Sequence, residues 1–320
     1  MQPVLWITSK LPAEVVEPLK TWADVRQWPT LEENMPHEKL KEVIQEAEII
    51  WTIMGDEVSR ELIESAPNLK IICNLAVGFN NIDVEAATEH GIIVTNTPGV
   101  LTDTTADLAF TLMLTTARRI VESSNKVLSG EWNYWGVNQF AGMDIFGKKL
   151  GIIGMGRIGE ALAYRTKGFN MDVVYHNRNR KLEAEEKYGF SYRELDDLLK
   201  ECDFVVLFTP LTEETKGMIG ARELALMKKT AILINVARGG IVQEQALYEA
   251  LKNDVIWAAG ADVFEKEPVP VDHPLLSLPN FVALPHIGSA TLATRRKMMD
   301  MNVESIMSYI EKEEIKHSIN

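Results

Sequence analysis

Gly154-Met155-Gly156-Arg157-Ile158-Gly159 follows the apolar run KKLGII and opens a helical pattern over 157–167. Three glycines at this spacing between a strand and a helix can hold a pyrophosphate. Gly154 allows the tight turn, Gly156 lets backbone approach the ligand, and Gly159 lets helix and strand pack closely. The anion rests on the unpaired N–H groups at the helix start, so Met155, Arg157 and Ile158 belong to the same cradle. The next strand pattern, MDVVYHNRNR, lacks the acid expected about 20 residues past the first glycine to hold a ribose 2'-hydroxyl. Asn177 and Arg178 stand there instead, with Arg180 close by. Donors in place of a carboxylate suit a 2'-phosphate, so NADP(H) is expected over NAD(H), with use of NAD(H) left open. Residues 142–149 imitate an ATPase phosphate loop, but they end in Lys where magnesium needs Ser or Thr, and they precede their strand. An ATPase is excluded.

A nicotinamide cofactor moves a hydride, so the protein must supply a proton donor, a substrate clamp and orientation. Of the six histidines, His37, His90 and His317 fall in or beside polar helical patterns, His176 lies at the cofactor turn, and His273 lies in the loop PVPVDHPLL. His286 differs from these. It follows the last strand pattern of the second half, in LPHIGSAT, where the chain crosses back toward the first half. Strand carboxyl ends facing a cleft are where α/β proteins hold ligands. Imidazole gives and takes a proton near neutrality, as a reversible ketone reduction requires, and works best with an orienting carboxylate. Asp262, Glu265 and Glu267 in ADVFEKEP are the candidates. Arg238, in NVARGG after the strand pattern TAILINVA, could bind a carboxylate through two hydrogen bonds while polarising the adjacent carbonyl.

The elements that must position these groups form two α/β series. VLWIT, VRQW, EIIWTI, KIICNLAV and GIIVTN read as strands alternating with helical patterns at 13–22, 37–47, 57–65 and 84–90. A long helical pattern then spans 101–128, with Thr102 or Asp103 placed to cap it. After a Gly- and Trp-rich loop, LGIIG, DVVYHN, DFVVLFT, TAILINVA, VIWAAGADV and FVALP form a second series, and one amphipathic helix follows from 291 to about 311. Strand-helix alternation means parallel sheets with right-handed crossovers. The expected fold is two doubly wound parallel-sheet domains. A Rossmann dinucleotide-binding domain (100–286) is inserted in a discontinuous flavodoxin-like substrate domain (1–99 and 287–320).

A chain of 320 residues suits two domains. With 33 Lys and Arg against 46 Asp and Glu, the net charge of -13 disfavours nucleic acid and anionic membranes as partners. Two cysteines, Cys73 and Cys202, both beside apolar residues, make no disulfide framework. The uncharged run 108–117 is too short to span a bilayer and MQPVLWITSK does not read as a leader, so a cytoplasmic protein is expected. No metal site is expected.

GMGRIG, NVARGG, GADVFEKEP, LPHIGSAT, LAVGFNNID and TDTTADLA occur in the order and spacing of the D-isomer-specific 2-hydroxyacid dehydrogenase family, which the chain resembles over nearly its whole length. The resemblance implies Arg238 as substrate clamp, His286 as acid/base and Glu267, immediately before Pro268, as its partner. It also implies a substrate carboxylate held by the N–H groups of Val77 and Gly78, with Ser289 an extra contact. Cofactor contacts are implied at Thr105, Thr209, Pro210, Ala237 and Asp262, the last at the nicotinamide carboxamide. Formate dehydrogenase, a relative, uses a His-Gln pair, and Glu267 argues against it. EWNYWG, with Trp132 and Trp135, is similar to the glyoxylate and hydroxypyruvate reductases, where this loop crosses a homodimer and Trp135 would shape the partner's site.

The expected reaction is NADPH-preferring reduction of glyoxylate or hydroxypyruvate to glycolate or D-glycerate. Hydride arrives at C2, His286 protonates the carbonyl oxygen, and Arg238 holds carboxylate and carbonyl together. 2-Ketogluconate reductases look alike at this level. A corepressor-like nucleotide sensor is the alternative from a different class.

Overall fold

The computed structural model describes residues 2–320, which form two compact units: the stretch up to Leu101 together with Thr291–Asn320, and Thr102–Ala290. In the first unit the order is β1 (Val4–Ile7), α1 (Ala13–Val16), β2 (Asp24–Gln27), α2 (His37–Val43), β3 (Ile49–Thr52), α3 (Arg60–Glu64), β4 (Ile71–Asn74), α4 (Val84–Glu89) and β5 (Ile93–Thr95). The five strands pair in parallel in the order β2-β1-β3-β4-β5. β3 and β4 are buried at every position, which is why Ile49–Trp51 and Ile71–Cys73 read as continuous apolar runs, with the polar Thr52 and Asn74 at their ends.

The second unit opens with α5 (Thr102–Ala117) and α6 (Ile120–Leu128). It continues through β6 (Lys149–Ile153), α7 (Arg157–Thr166), β7 (Asp172–His176), α8 (Leu182–Tyr188), β8 (Ser191–Tyr192), α9 (Leu195–Glu201), β9 (Phe204–Leu207), α10 (Ala221–Leu226), β10 (Ile232–Asn235), α11 (Glu244–Lys252), β11 (Ala258–Ala261) and β12 (Phe281–Ala283). Its parallel sheet runs β12-β11-β10-β9-β6-β7-β8. Strand order reverses between β6 and β9, the switch point at which doubly wound sheets hold nucleotides. Successive strand residues face opposite cores: Val205 packs with Leu198, Leu233 and Leu251, and Val206 with Met113, Ile152 and Leu162.

The last helix, α12 (Leu292–Glu311), is capped by the Thr291 hydroxyl and belongs to the first unit. Its buried Asn302 donates to the Cys73 carbonyl at 3.2 Å, and Tyr309 donates to Glu48 at 2.8 Å. Among the described residues no helix is long and apolar enough to cross a membrane.

Three readings of the sequence need correction. The single helix expected over 101–128 is two, because Arg119 takes a left-handed conformation (φ 51°) and Met143 N–H, 2.8 Å from the Ala117 carbonyl, replaces the bond a continuing helix would make. The break is invisible to periodicity because apolar residues continue across it. α5 is buried along one side, whereas α6 has no buried residue. The pattern 13–22 is α-helical only to Val16 and then tightens to a 3-10 turn over Glu17–Thr21, where Pro18 supplies no N–H. Two-residue β8 was not anticipated, being too short to carry a pattern.

Candidate active site

At the carboxyl end of β6, the three glycines differ in what surrounds them. Gly154 has φ +102°, and a Cβ there would stand 2.7 Å from the backbone of Phe208 and Thr209. Gly156, the residue before α7, has nothing within 4 Å of that position, so its backbone is open to a ligand. Gly159 lies under the turn, where a Cβ would meet the Gly154 carbonyl at 2.8 Å. Around this cradle Met155 is buried, Ile158 half-buried and Arg157 exposed. Thr105 is buried and Pro210 exposed, while the buried Thr209 hydroxyl has no hydrogen-bond partner among the described residues. An open backbone at a helix start and an unpartnered hydroxyl beside it fit a dinucleotide.

Asn177 also has a role within the protein. Its side-chain oxygen accepts from Met155 N–H at 2.6 Å and its amide donates to Met155 O at 3.3 Å, bracing the glycine turn from the end of β7. Arg180 is paired with Glu185 at 2.5 Å, and Arg178 lies exposed.

Three strand ends of the same sheet carry the polar cluster. Past β10, Asn235 accepts from Ala237 N–H at 3.1 Å and donates to the Arg238 carbonyl at 3.0 Å, shaping the loop that presents Arg238. The guanidinium is half-buried and donates to the Ala237 carbonyl at 2.7 Å. Burial pulls its pKa down against the opposing charge of Glu267, but an arginine remains charged. Gly239, next in the chain, has no room for a side chain: a Cβ would sit 1.9 Å from the Phe264 carbonyl oxygen in the loop after β11.

Of the three acids in that loop, Glu267 is the one at the histidine. His286 Nδ1 donates to Glu267 Oε2 at 2.6 Å, and Oε1 accepts from Phe264 N–H at 2.9 Å. Partial burial works against ionisation of Glu267. The hydrogen bond and charge of His286, the Phe264 N–H and the charge of Arg238 outweigh it, holding the carboxyl below its usual range. With Nδ1 committed to Glu267, Nε2 is the ring nitrogen left to exchange a proton. His286 itself has φ 53°, a conformation uncommon outside glycine that clusters at functional sites.

Asp262 does not touch His286 through its carboxylate. Its two oxygens accept from Ile287 and Gly288 N–H, each at 2.8 Å, so it fixes the backbone on which His286 stands. Burial raises its pKa, against the pull of those two N–H groups. Ala237 is buried beside Arg238, and Ser289 is half-buried past His286.

In the first unit, Val77 and Gly78 follow β4 in a loop whose carbonyls are turned inward. Asn96 donates to Val77 O at 2.8 Å and Asn74 to Gly78 O at 3.0 Å. Their N–H groups donate to no other protein group among the described residues, which leaves two adjacent donors for an anion. Asn74 here and Asn235 in the second unit use one device, an amide at a strand end that captures a carbonyl of the following loop.

The loop before α3 in this unit carries a buried Asp56, which accepts from Ile53 N–H at 2.7 Å and meets the Thr8 hydroxyl. Thr8 is also 3.1 Å from the Trp51 carbonyl, and one hydroxyl proton serves one acceptor. The Trp51 carbonyl already accepts from Thr8 N–H at 3.0 Å, so the hydroxyl donates to Asp56, whose pKa burial raises from 3.8 to about 6. A folded pKa above the unfolded one stabilises the fold below pH 3.8, and that stability is lost as pH rises through about 6. Asp56→Asn is therefore expected to gain about 2–3 kcal/mol on the wild type between pH 4 and pH 7, read from urea midpoints at both pH values. A wild-type-minus-variant difference that does not change with pH would contradict this.

Trp132, Tyr134, Trp135 and Val137 stand exposed after α6, whose Ile120, Val121, Val127 and Leu128 are exposed as well.

The sequence model of the D-isomer specific 2-hydroxyacid dehydrogenase NAD binding domain matches residues 110–288. The chain is 46% identical over 313 residues to a glyoxylate reductase of Thermococcus kodakarensis, covering 97% of this chain and 93% of that one. A glyoxylate reductase of Thermococcus litoralis is 47% identical, with 97% and 94% covered. Among solved structures, a glyoxylate reductase from Paecilomyes thermophila superposes with a TM-score of 0.87 at 33% identity, covering 99% and 98% of the two chains. An NADPH-dependent glyoxylate/hydroxypyruvate reductase from Sinorhizobium meliloti, in complex with NADP and malonate, superposes with a TM-score of 0.86 at 31% identity, covering 100% and 97%. With the glycine cradle at the switch point and the Arg238, Glu267 and His286 cluster on neighbouring strand ends, these likenesses make the chain a member of the D-isomer specific 2-hydroxyacid dehydrogenase family, oxidoreductases that work with a nicotinamide dinucleotide.

Proposed function

We propose that the protein reduces glyoxylate, and hydroxypyruvate beside it, to the 2-hydroxy acid with NADPH as preferred reductant. The 2.6 Å bond between His286 Nδ1 and Glu267 carries this reading. It fixes the ring and leaves Nε2 to deliver the proton that a reduction needs. When bound, the reduced nicotinamide supplies the hydride that reaches C2. His286 donates the Nε2 proton to the carbonyl oxygen as negative charge grows there, while Glu267 holds the ring through Nδ1. Arg238 holds the substrate carboxylate and polarises the carbonyl. Val77 and Gly78 N–H are, on this reading, further donors to the carboxylate, and Ser289 and Trp135 bound the substrate. Thr105, Ala237, Asp262, Thr209 and Pro210 are assigned to the cofactor with the glycine turn.

Preference for NADPH rests on Asn177 and the exposed Arg178 past β7, donors that suit a 2'-phosphate where a carboxylate would repel it. The test compares kcat/KM for NADPH and NADH with glyoxylate, hydroxypyruvate, pyruvate and 2-ketogluconate. The wild type is expected to favour NADPH, and Arg178→Ala to lose about ten-fold or more of that preference with kcat unchanged. A wild type that favours NADH overturns the cofactor assignment. Fastest turnover of 2-ketogluconate overturns the substrate, and cofactor binding without turnover of any of the four indicates a sensor.

A homodimer is part of the same reading. The unburied apolar side of α6 continues into the exposed aromatic loop, a patch of the kind that marks a protein interface. Sedimentation equilibrium should give twice the mass of one chain; a monomer would remove this part. Both cysteines are buried free thiols, in keeping with a cytoplasmic place of action.

A further inference from the structure

A second histidine-carboxylate pair lies outside the site just described. His273 Nε2 is 3.0 Å from Glu244 Oε2, and both side chains are 17% exposed. Glu244 opens α11, four residues past Gly240, and its other oxygen, Oε1, accepts from Glu265 N–H at 2.8 Å. The segment after β11 that bears Glu267 is exposed from Glu265 to Pro268 and has little packing of its own. Two carboxylates hold its start: Glu267 on Phe264 N–H, and Glu244 on the next N–H along. From the other side the backbone at Gly239 presses on the Phe264 carbonyl.

His273 is poorly explained as packing. Its Nδ1 is buried without a hydrogen-bond partner among the described residues, a cost that a phenylalanine in the same place against Phe264 would not carry. What the ring contributes is one hydrogen bond to a mostly buried carboxylate. That bond fixes the Glu244 side chain in the rotamer that reaches Glu265.

We propose that Glu244 and His273 form a positioning pair for Glu267, and through it for the ring of His286, although neither residue touches His286. The proposal rests on the reading of Glu267 and His286 as the proton-transfer pair. Its physical basis is that a misplacement of about 1 Å in a reacting group can cost up to about 100-fold in rate. The 2.6 Å bond at Glu267 leaves little tolerance.

Four variants test it in the full-length enzyme: Glu244→Ala, Glu244→Gln, His273→Phe and Glu244→Ala combined with Glu267→Gln. Glu244→Ala should lower kcat about 10- to 100-fold with KM for NADPH unchanged, and move the pH profile of kcat/KM toward that of Glu267→Gln. His273→Phe, which keeps a ring against Phe264, should do the same to a smaller extent. Glu244→Gln, which keeps an acceptor for Glu265 N–H, should restore kcat to within about three-fold. In the combined variant the loss should hardly exceed that of Glu267→Gln alone, because both changes remove one function. The proposal is overturned if Glu244→Ala and His273→Phe lose thermal stability but keep the wild-type kcat and pH profile, or if the losses multiply in the combined variant. Should Glu244→Ala not fold, a wild-type kcat and pH profile in His273→Phe alone is enough to overturn it. An active His286→Ala would instead sink the underlying proton-transfer reading, so the two failures are told apart.

Discussion

Replacing His286 by alanine is expected to lower kcat for glyoxylate reduction about 1,000-fold, with Kd for NADPH changed no more than about two-fold. That is about 4 kcal/mol of barrier, in the range a positioned general acid supplies. The loss should be large because the imidazole does two things at once in this geometry. It carries the Nε2 proton, and it is held by Glu267 so that the proton points in one direction. Water can replace the proton but not the orientation. Glu267→Gln keeps a hydrogen-bond acceptor and removes the charge, so it should lie between wild type and His286→Ala. Near-wild-type reduction by His286→Ala would remove the assignment.

Arg238→Ala should lower kcat/KM for glyoxylate by a similar factor, about 1,000-fold, and Arg238→Lys should recover only part of it. Lysine keeps the charge but not the two parallel donors that engage carboxylate and carbonyl together. The half-buried position of Arg238 strengthens whatever it binds, since less water competes for the charge. Steady-state kinetics separate the contributions: the clamp should appear in KM, polarisation of the carbonyl in kcat. A change in KM alone would mean that Arg238 binds substrate without assisting the chemistry.

The grouping of these residues at strand ends was legible in the sequence from residue type and local spacing. The glycines, Arg238 and His286 each follow an apolar strand run, and a side chain or turn past a parallel strand lies at the sheet's functional edge whatever the distant packing does. The orienting acid was not legible from spacing, because Asp262, Glu265 and Glu267 lie within six positions of one another. Hydrogen bonding in the turn decides among them, sending Asp262 to backbone N–H groups and Glu267 to the ring. The hydrogen bond from Met155 N–H to Asn177, 22 positions on, has no signature in the sequence. Asn74 and Asn235 passed unnoticed because an asparagine at a strand end looks like any turn residue until its amide is seen on a carbonyl. The only available signal was their matching place, at the last position of a buried strand in each unit. Likewise the split between α5 and α6 depends on Met143 reaching back to Ala117, a tertiary event that leaves no trace in the apolar pattern.

The contact between Gly239 and the Phe264 carbonyl bears on how this enzyme could be redesigned. The loop carrying the guanidinium and the loop carrying the orienting carboxylate meet with no space for even one methyl group. They are one mechanical part, and an insertion, deletion or added side chain in either is transmitted to the other. Libraries that diversify the two loops independently will therefore consist mostly of inactive members. Broader substrate range is better sought in the exposed aromatic loop at 131–137, where side chains project with no such constraint on the backbone that holds Arg238 and Glu267.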